Sequence, residues 1–199
     1  MLDKIEIILN SDFNENLILR TDHAANTFDL HEDGRNAKCK IARFQYIEGE
    51  VLAYKFDKQQ VGKDNTIFPF FANGVTHLKK MCDFILFYKN KRQQIFVLLC
   101  NLKSDDIGTH KEQIAAAEVF VEFVTKTSTR LFPTEKMDYR LIKVLYQSNK
   151  SVNKNTTNGR NSKNNMLNNT EPTDTYYFHS NGESVSTCNL AKICRNETK

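Results

Sequence analysis

A chain of 199 residues with 40% hydrophobic and 26% charged residues has room for one packed domain, since domains commonly run to about 100–200 residues. Its longest apolar run, residues 95–100, is strand-sized and far below the roughly 20 residues of a membrane span, and Asp3, Lys4 and Glu6 interrupt what a secretory signal would keep apolar. These features predict a soluble, cytoplasmic protein with no membrane partner, and the net charge of +4 permits nucleic-acid contact without requiring it.

In chain order, apolar alternation predicts strands at 4–9, 16–20, 39–46 and 51–56, the last two joined by a turn at 47–50 into a meander. Residues 26–36 read as a loop holding a short strand at 27–30. Residues 64–74, with Pro69 among Phe68, Phe70 and Phe71, suit an irregular plug in the core. Residues 82–88 and 95–100 are two buried strands around a polar turn at 89–94 and are predicted to pair antiparallel. A helix follows over 110–125, with Ile114, Ala117, Val121 and Val124 along one face and Thr109 and Glu112 as a capping box. Residues 137–147 alternate as a further strand.

Residues 148–173 are dominated by Asn, Lys, Thr and Ser and are predicted to be a disordered linker, because such a composition buries too little to offset the entropy of ordering. Beyond it, Asn181-Gly182 between apolar runs predicts a C-terminal hairpin that docks on the main domain. The expected organisation is therefore 1–147 as an α/β domain, 148–173 as linker and 174–199 as the docked hairpin. The central sheet is expected to be mixed and mostly antiparallel, with one main flanking helix.

Five cysteines, Cys39, Cys82, Cys100, Cys188 and Cys194, are odd in number and lack any C-x2-C pair, so they read as reduced thiols. The five histidines are scattered without ligand spacing, which argues against zinc. There is no P-loop, nucleophile elbow or dinucleotide fingerprint. Lys79, Lys80, Lys89, Lys91 and Arg92 flank the first core strand as candidate phosphate contacts, although a solvated lysine is the default at turn positions.

The informative constellation is Asp83 at the head of one strand, Asn101-Leu102-Lys103 at the end of the next, and Gln113 on the helix that follows. A hairpin sets the start of its first strand beside the end of its second, so Asp83 and Lys103 are predicted to be neighbours at one edge of the sheet. This arrangement, over roughly 77–147, resembles the PD-(D/E)XK nuclease superfamily. There an Asp opens one strand, an acid-x-Lys triplet ends its antiparallel partner and the next helix often presents a Gln.

The resemblance implies a restriction-endonuclease-like core and a site of Asp83, Asn101, Lys103 and Gln113. Asp83 and position 101 would hold Mg²⁺ or Mn²⁺, and Lys103 would orient the attacking water. It further implies DNA as partner, with RNA as an alternative, and a role in restriction or defence against foreign DNA. Asn101 departs from the pattern, because it offers a neutral carbonyl where the family has a carboxylate. Three accounts follow: a degenerate domain that binds without cutting, an acid supplied by Asp105, Asp106 or Glu112, or a chain altered at this position to remove activity. The rival reading is a non-catalytic pseudo-nuclease subunit that binds a partner protein through its sheet edge or its Phe-rich segment.

Overall fold

The computed structural model describes residues 2–9, 27–31, 40–45, 49–55, 81–103, 110–134, 137–147, 175–179, 185–190 and 193–194. Among these residues, two helices, α1 (Leu2–Ile8) and α2 (His110–Leu131), accompany eight strands. The strands are β1 (Thr27–His31), β2 (Ile41–Gln45), β3 (Gly49–Lys55), β4 (Phe84–Asn90), β5 (Ile95–Lys103), β6 (Tyr139–Gln147), β7 (Thr175–His179) and β8 (Val185–Asn189). The predicted linker at 148–173, the strand at 16–20, the irregular plug at 64–74 and the capping residue Thr109 lie outside the described residues.

The strands form two mixed sheets rather than the expected one: a five-stranded sheet in the order β3-β4-β5-β6-β7 and a three-stranded sheet in the order β1-β2-β8. In the larger, β3, β4 and β5 run antiparallel in succession, whereas β6 is parallel to β5 and β7 parallel to β6. In the smaller, β1 is antiparallel and β8 parallel to β2. The predicted β4–β5 hairpin is present, with Phe84 opposite Cys100 and Lys89 opposite Ile95. The helix α2 then carries the chain back to β6, as a parallel neighbour requires.

Each face of the larger sheet has its own cover, which accounts for the unbroken apolar runs of β4 and β5. On one side Ile85, Phe87, Val97 and Leu99 pack beneath Leu2, Ile5 and Leu9 from the α1 segment and Ile114, Ala117, Val121 and Val124 of α2. On the other, Leu86, Phe96, Leu98, Cys100, Ile142, Val144 and Tyr146 meet Phe28, Leu30, Ala42, Phe44 and Cys188 of the smaller sheet. Phe44 sets its ring edge against Tyr146 at 6.0 Å between centroids, a favoured aromatic geometry. The order of layers is helices, large sheet, small sheet.

Three predicted elements are corrected. Residues 4–9 are not a strand, because the chain forms helix α1 instead. Ile5, Ile7 and Leu9 alternate, but Leu2, Ile5 and Leu9 also share one helical face, and it is that face which is buried while Ile7 is exposed. The 39–46 and 51–56 strands do not form a meander: β2 pairs with β1 and β8, and β3 with β4. The alternating burial of β2 suits a sheet covered on one face, whereas Val51 to Tyr54 are buried without interruption. The predicted C-terminal hairpin is absent as well, since β7 and β8 belong to different sheets. The Asn-Gly signal itself falls outside the described residues.

The helix α2 outruns its predicted end at residue 125 and continues to Leu131, although Thr125, Thr127, Ser128 and Thr129 are poor helix formers. Thr125 and Ser128 are buried, and the Thr129 hydroxyl donates to the Thr125 carbonyl at 3.1 Å, which returns a hydroxyl to the backbone. Pro133 follows shortly after the last turn, where proline commonly stands.

Candidate functional site

Asp83 precedes the first residue of β4, and Asn101 lies near the end of β5, so the antiparallel register that sets Phe84 opposite Cys100 brings the two together. Their contact is reciprocal. The Asp83 backbone N–H donates to Asn101 Oδ1 at 3.2 Å, and the Leu102 backbone N–H donates to Asp83 Oδ2 at 2.6 Å. The second bond is short, as hydrogen bonds to an ionised acceptor are. Asn101 Nδ2 makes a long contact of 3.5 Å to the carbonyl of His110, the first residue of α2. One amide thus spans two strands and a helix start.

Strand alternation puts Asn101 on the helix-covered face with Val97 and Leu99, and it is 0% exposed. Burial of a side-chain amide is costly unless its polar atoms are bonded; here both are. Lys103 is two residues further along β5, with its backbone opposite Gln147 of β6. Its side chain lies outside the described residues. Gln113, one turn into α2, is half-buried, and its Oε1 has no hydrogen-bond partner among the described residues.

The position is the strand-end side of the sheet, where hairpin pairing sets the head of β4 beside the end of β5. β4 and β5 are interior strands of the five, so the constellation sits at the ends of the central strand pair. The basic candidates among the described residues are not gathered there. Lys89, Lys91 and Arg92 belong to the opposite end of the hairpin, roughly 20 Å away at a strand rise of about 3.4 Å per residue. Lys89 pairs with Glu50 across the strands at 3.5 Å. Lys79 and Lys80 lie outside the described residues.

A magnesium or manganese site needs several hard oxygen donors, carboxylates foremost. The described donors do not fit one. Asp83 is a single carboxylate with one oxygen already engaged by Leu102, and the amide oxygen of Asn101 is sealed from solvent and occupied by the Asp83 N–H. No group of three His, Cys, Asp or Glu among the described residues is placed to hold a metal. Of the alternative acids, Asp105 and Asp106 lie outside the described residues. Glu112 is exposed and stands two residues, about 200° of helix, from the His110 position that meets Asn101.

Two participants were not anticipated from sequence: the Leu102 N–H and the His110 carbonyl. Backbone groups leave no signature in residue type, although the position of Leu102 between Asn101 and Lys103 is where a strand-head carboxylate would reach an unmatched N–H.

Elsewhere burial pushes the Cys82, Cys100 and Cys188 thiols well above the ordinary thiol range, with nearby acidic or thiol groups adding to the shift. Cys82, Cys100, Cys188 and Cys194 are unbridged and buried. These sulfurs are core, and a thiol so raised is a poor nucleophile. No helix among the described residues is long and apolar enough to cross a membrane. Comparison of the chain with family models, with curated proteins and with solved structures returns no match.

Proposed function

We propose that the chain is a nuclease-like DNA-binding protein in which the cleavage site has become degenerate, a role consistent with recognition of foreign DNA in restriction or defence. The observation that carries this reading is the reciprocal bonding of Asp83 with the Asn101-Leu102 segment at the ends of β4 and β5. It is the juxtaposition that the nuclease resemblance requires, with a structural amide where a second carboxylate would stand. The succession of antiparallel strands, helix and returning parallel strand supports the same reading by analogy of fold.

Two measurements test it. Duplex DNA is expected to bind with an affinity that falls as salt rises, because phosphate contacts release counterions. Plasmid nicking by the chain in Mg²⁺ or Mn²⁺ is expected to be absent or slow, because the donors at Asp83 and Asn101 do not fit a metal. Absence of salt-sensitive DNA binding would remove the proposal. Efficient, metal-dependent nicking by the natural chain would instead assign the missing acid to Asp105 or Asp106.

The second reading, a non-catalytic subunit that binds a partner protein, is favoured by one specific observation: Asn101 is sealed from solvent and its polar atoms are committed to the fold. It predicts that Asp83→Ala and Asn101→Ala change stability alone, with no effect on nucleic-acid or metal affinity.

A further inference from the structure

The outer face of α2 carries an apolar pair with no cover among the described residues: Val119 is 67% and Phe123 63% exposed. They stand one helical turn apart near the middle of a 22-residue helix. Along the same stripe, at alternating steps of three and four, lie Glu112, Ala116, Lys126 and Arg130. This is the spacing of a seam that packs against another helix. Glu112, Lys126 and Arg130 are exposed. The acid lies towards the N-terminal end, the bases towards the C-terminal end, and the apolar pair between them.

The stripe is self-complementary in one orientation. Glu112 and Arg130 are each nine residues from Val121, and Val119 and Phe123 are each two residues from it. We propose that α2 is a homodimer contact, packed antiparallel on α2 of a second copy about a two-fold axis level with Val121. In that arrangement Val119 of each copy meets Phe123 of the other, and Glu112 of each meets Arg130 of the other. A parallel arrangement would set Glu112 against Glu112 and Arg130 against Arg130, which repel. A two-fold axis makes one patch serve both copies, and antiparallel helices also align opposite dipole ends.

Sedimentation velocity on the full chain, from low to high micromolar concentration, tests the proposal. A reversible dimer is expected, abolished by Phe123→Glu, with helix content by circular dichroism unchanged because the side chain is exposed. Glu112→Arg alone and Arg130→Glu alone each break both symmetry-related pairs and are expected to weaken association roughly threefold to thirtyfold. The double variant Glu112→Arg, Arg130→Glu is expected to restore it, because the swapped charges meet again. A chain that stays monomeric throughout, a dimer indifferent to Phe123→Glu, or single charge reversals that the double variant does not rescue would each overturn the antiparallel dimer.

Discussion

Replacing Asn101 by alanine removes the acceptor for the Asp83 N–H and opens a cavity at a fully buried position. Urea denaturation is expected to show a loss of roughly 2–3 kcal/mol. Asp83→Ala deprives the Leu102 N–H of its carboxylate and is expected to cost about 1–3 kcal/mol, whereas Asp83→Asn retains a carbonyl and should cost less. Asn101→Asp is the more informative change. It places a second carboxylate beside the first in a buried setting, so its folded pKa rises above the unfolded value of about 3.9. The penalty relative to the natural chain is then absent at low pH and grows as the pH climbs past that value. Added Mg²⁺ should narrow the gap at neutral pH if two carboxylates restore a metal site; a gap insensitive to Mg²⁺ would show that the position serves the fold alone. Residue types and spacing sufficed to single out Asp83 and Asn101 as neighbours. That Asn101 would be enclosed was not legible, because enclosure depends on how the start of α2 approaches β5.

Among the elements, the β4–β5 hairpin was readable because both strands are continuous apolar runs about a polar turn, and α2 because its buried residues recur at helical spacing. The turn itself is tightly bonded: the Gln94 N–H donates to Asn90 Oδ1 at 2.9 Å and the Gln93 N–H to the Asn90 carbonyl at 2.9 Å. Gln93 holds a φ of 65°, a left-handed conformation that glycine adopts without strain. Gln93→Gly is therefore expected to raise stability by about 0.5–1 kcal/mol in urea melts. Gly49, opposite Asn90, is the converse case. A Cβ there would run into the Lys89 carbonyl oxygen, so Gly49→Ala should lower the melting temperature by several degrees through displacement of the β3 edge. In the smaller sheet Arg43 donates two bonds to the carboxylate of Asp29, its register partner, at 2.8 and 2.6 Å. That hydrogen bonding holds Asp29 below the ordinary aspartate range. Its contribution is therefore present above the unfolded pKa of about 3.9 and lost as the pH falls through the lower folded value. The stability difference between the natural chain and Asp29→Asn should shrink in acid, and solvent screening keeps it small throughout. What the sequence did not disclose was partner choice. The short strands at 27–31 and 41–45 alternate as any one-faced strand does, and nothing local in β8 announces β2 as its parallel neighbour.

For the molecule as a whole, two hydrophobic cores meet at one sheet, and the buried sulfurs report on the integrity of both. Cys82 belongs to the helix-side core and Cys100, Cys188 and Cys194 to the core between the sheets. Iodoacetamide labelling followed by mass spectrometry is expected to leave Cys82, Cys100 and Cys188 unmodified in the native protein and to modify all three in urea. Rapid native labelling of Cys188 alone would show that the small sheet opens separately. The parallel pairing of β8 with β2 sets Ile41 against Val185, far apart along the chain. Such contacts form slowly, because a long loop must close before they contribute. During synthesis β2 therefore waits with an unmatched edge and with Phe44 incompletely covered until β8 has left the ribosome, a condition that invites association between nascent chains. A chain truncated after Gln147 is expected to partition into the insoluble fraction on expression. Supplying residues 174–199 in trans during refolding should recover soluble protein if those strands are the missing cover.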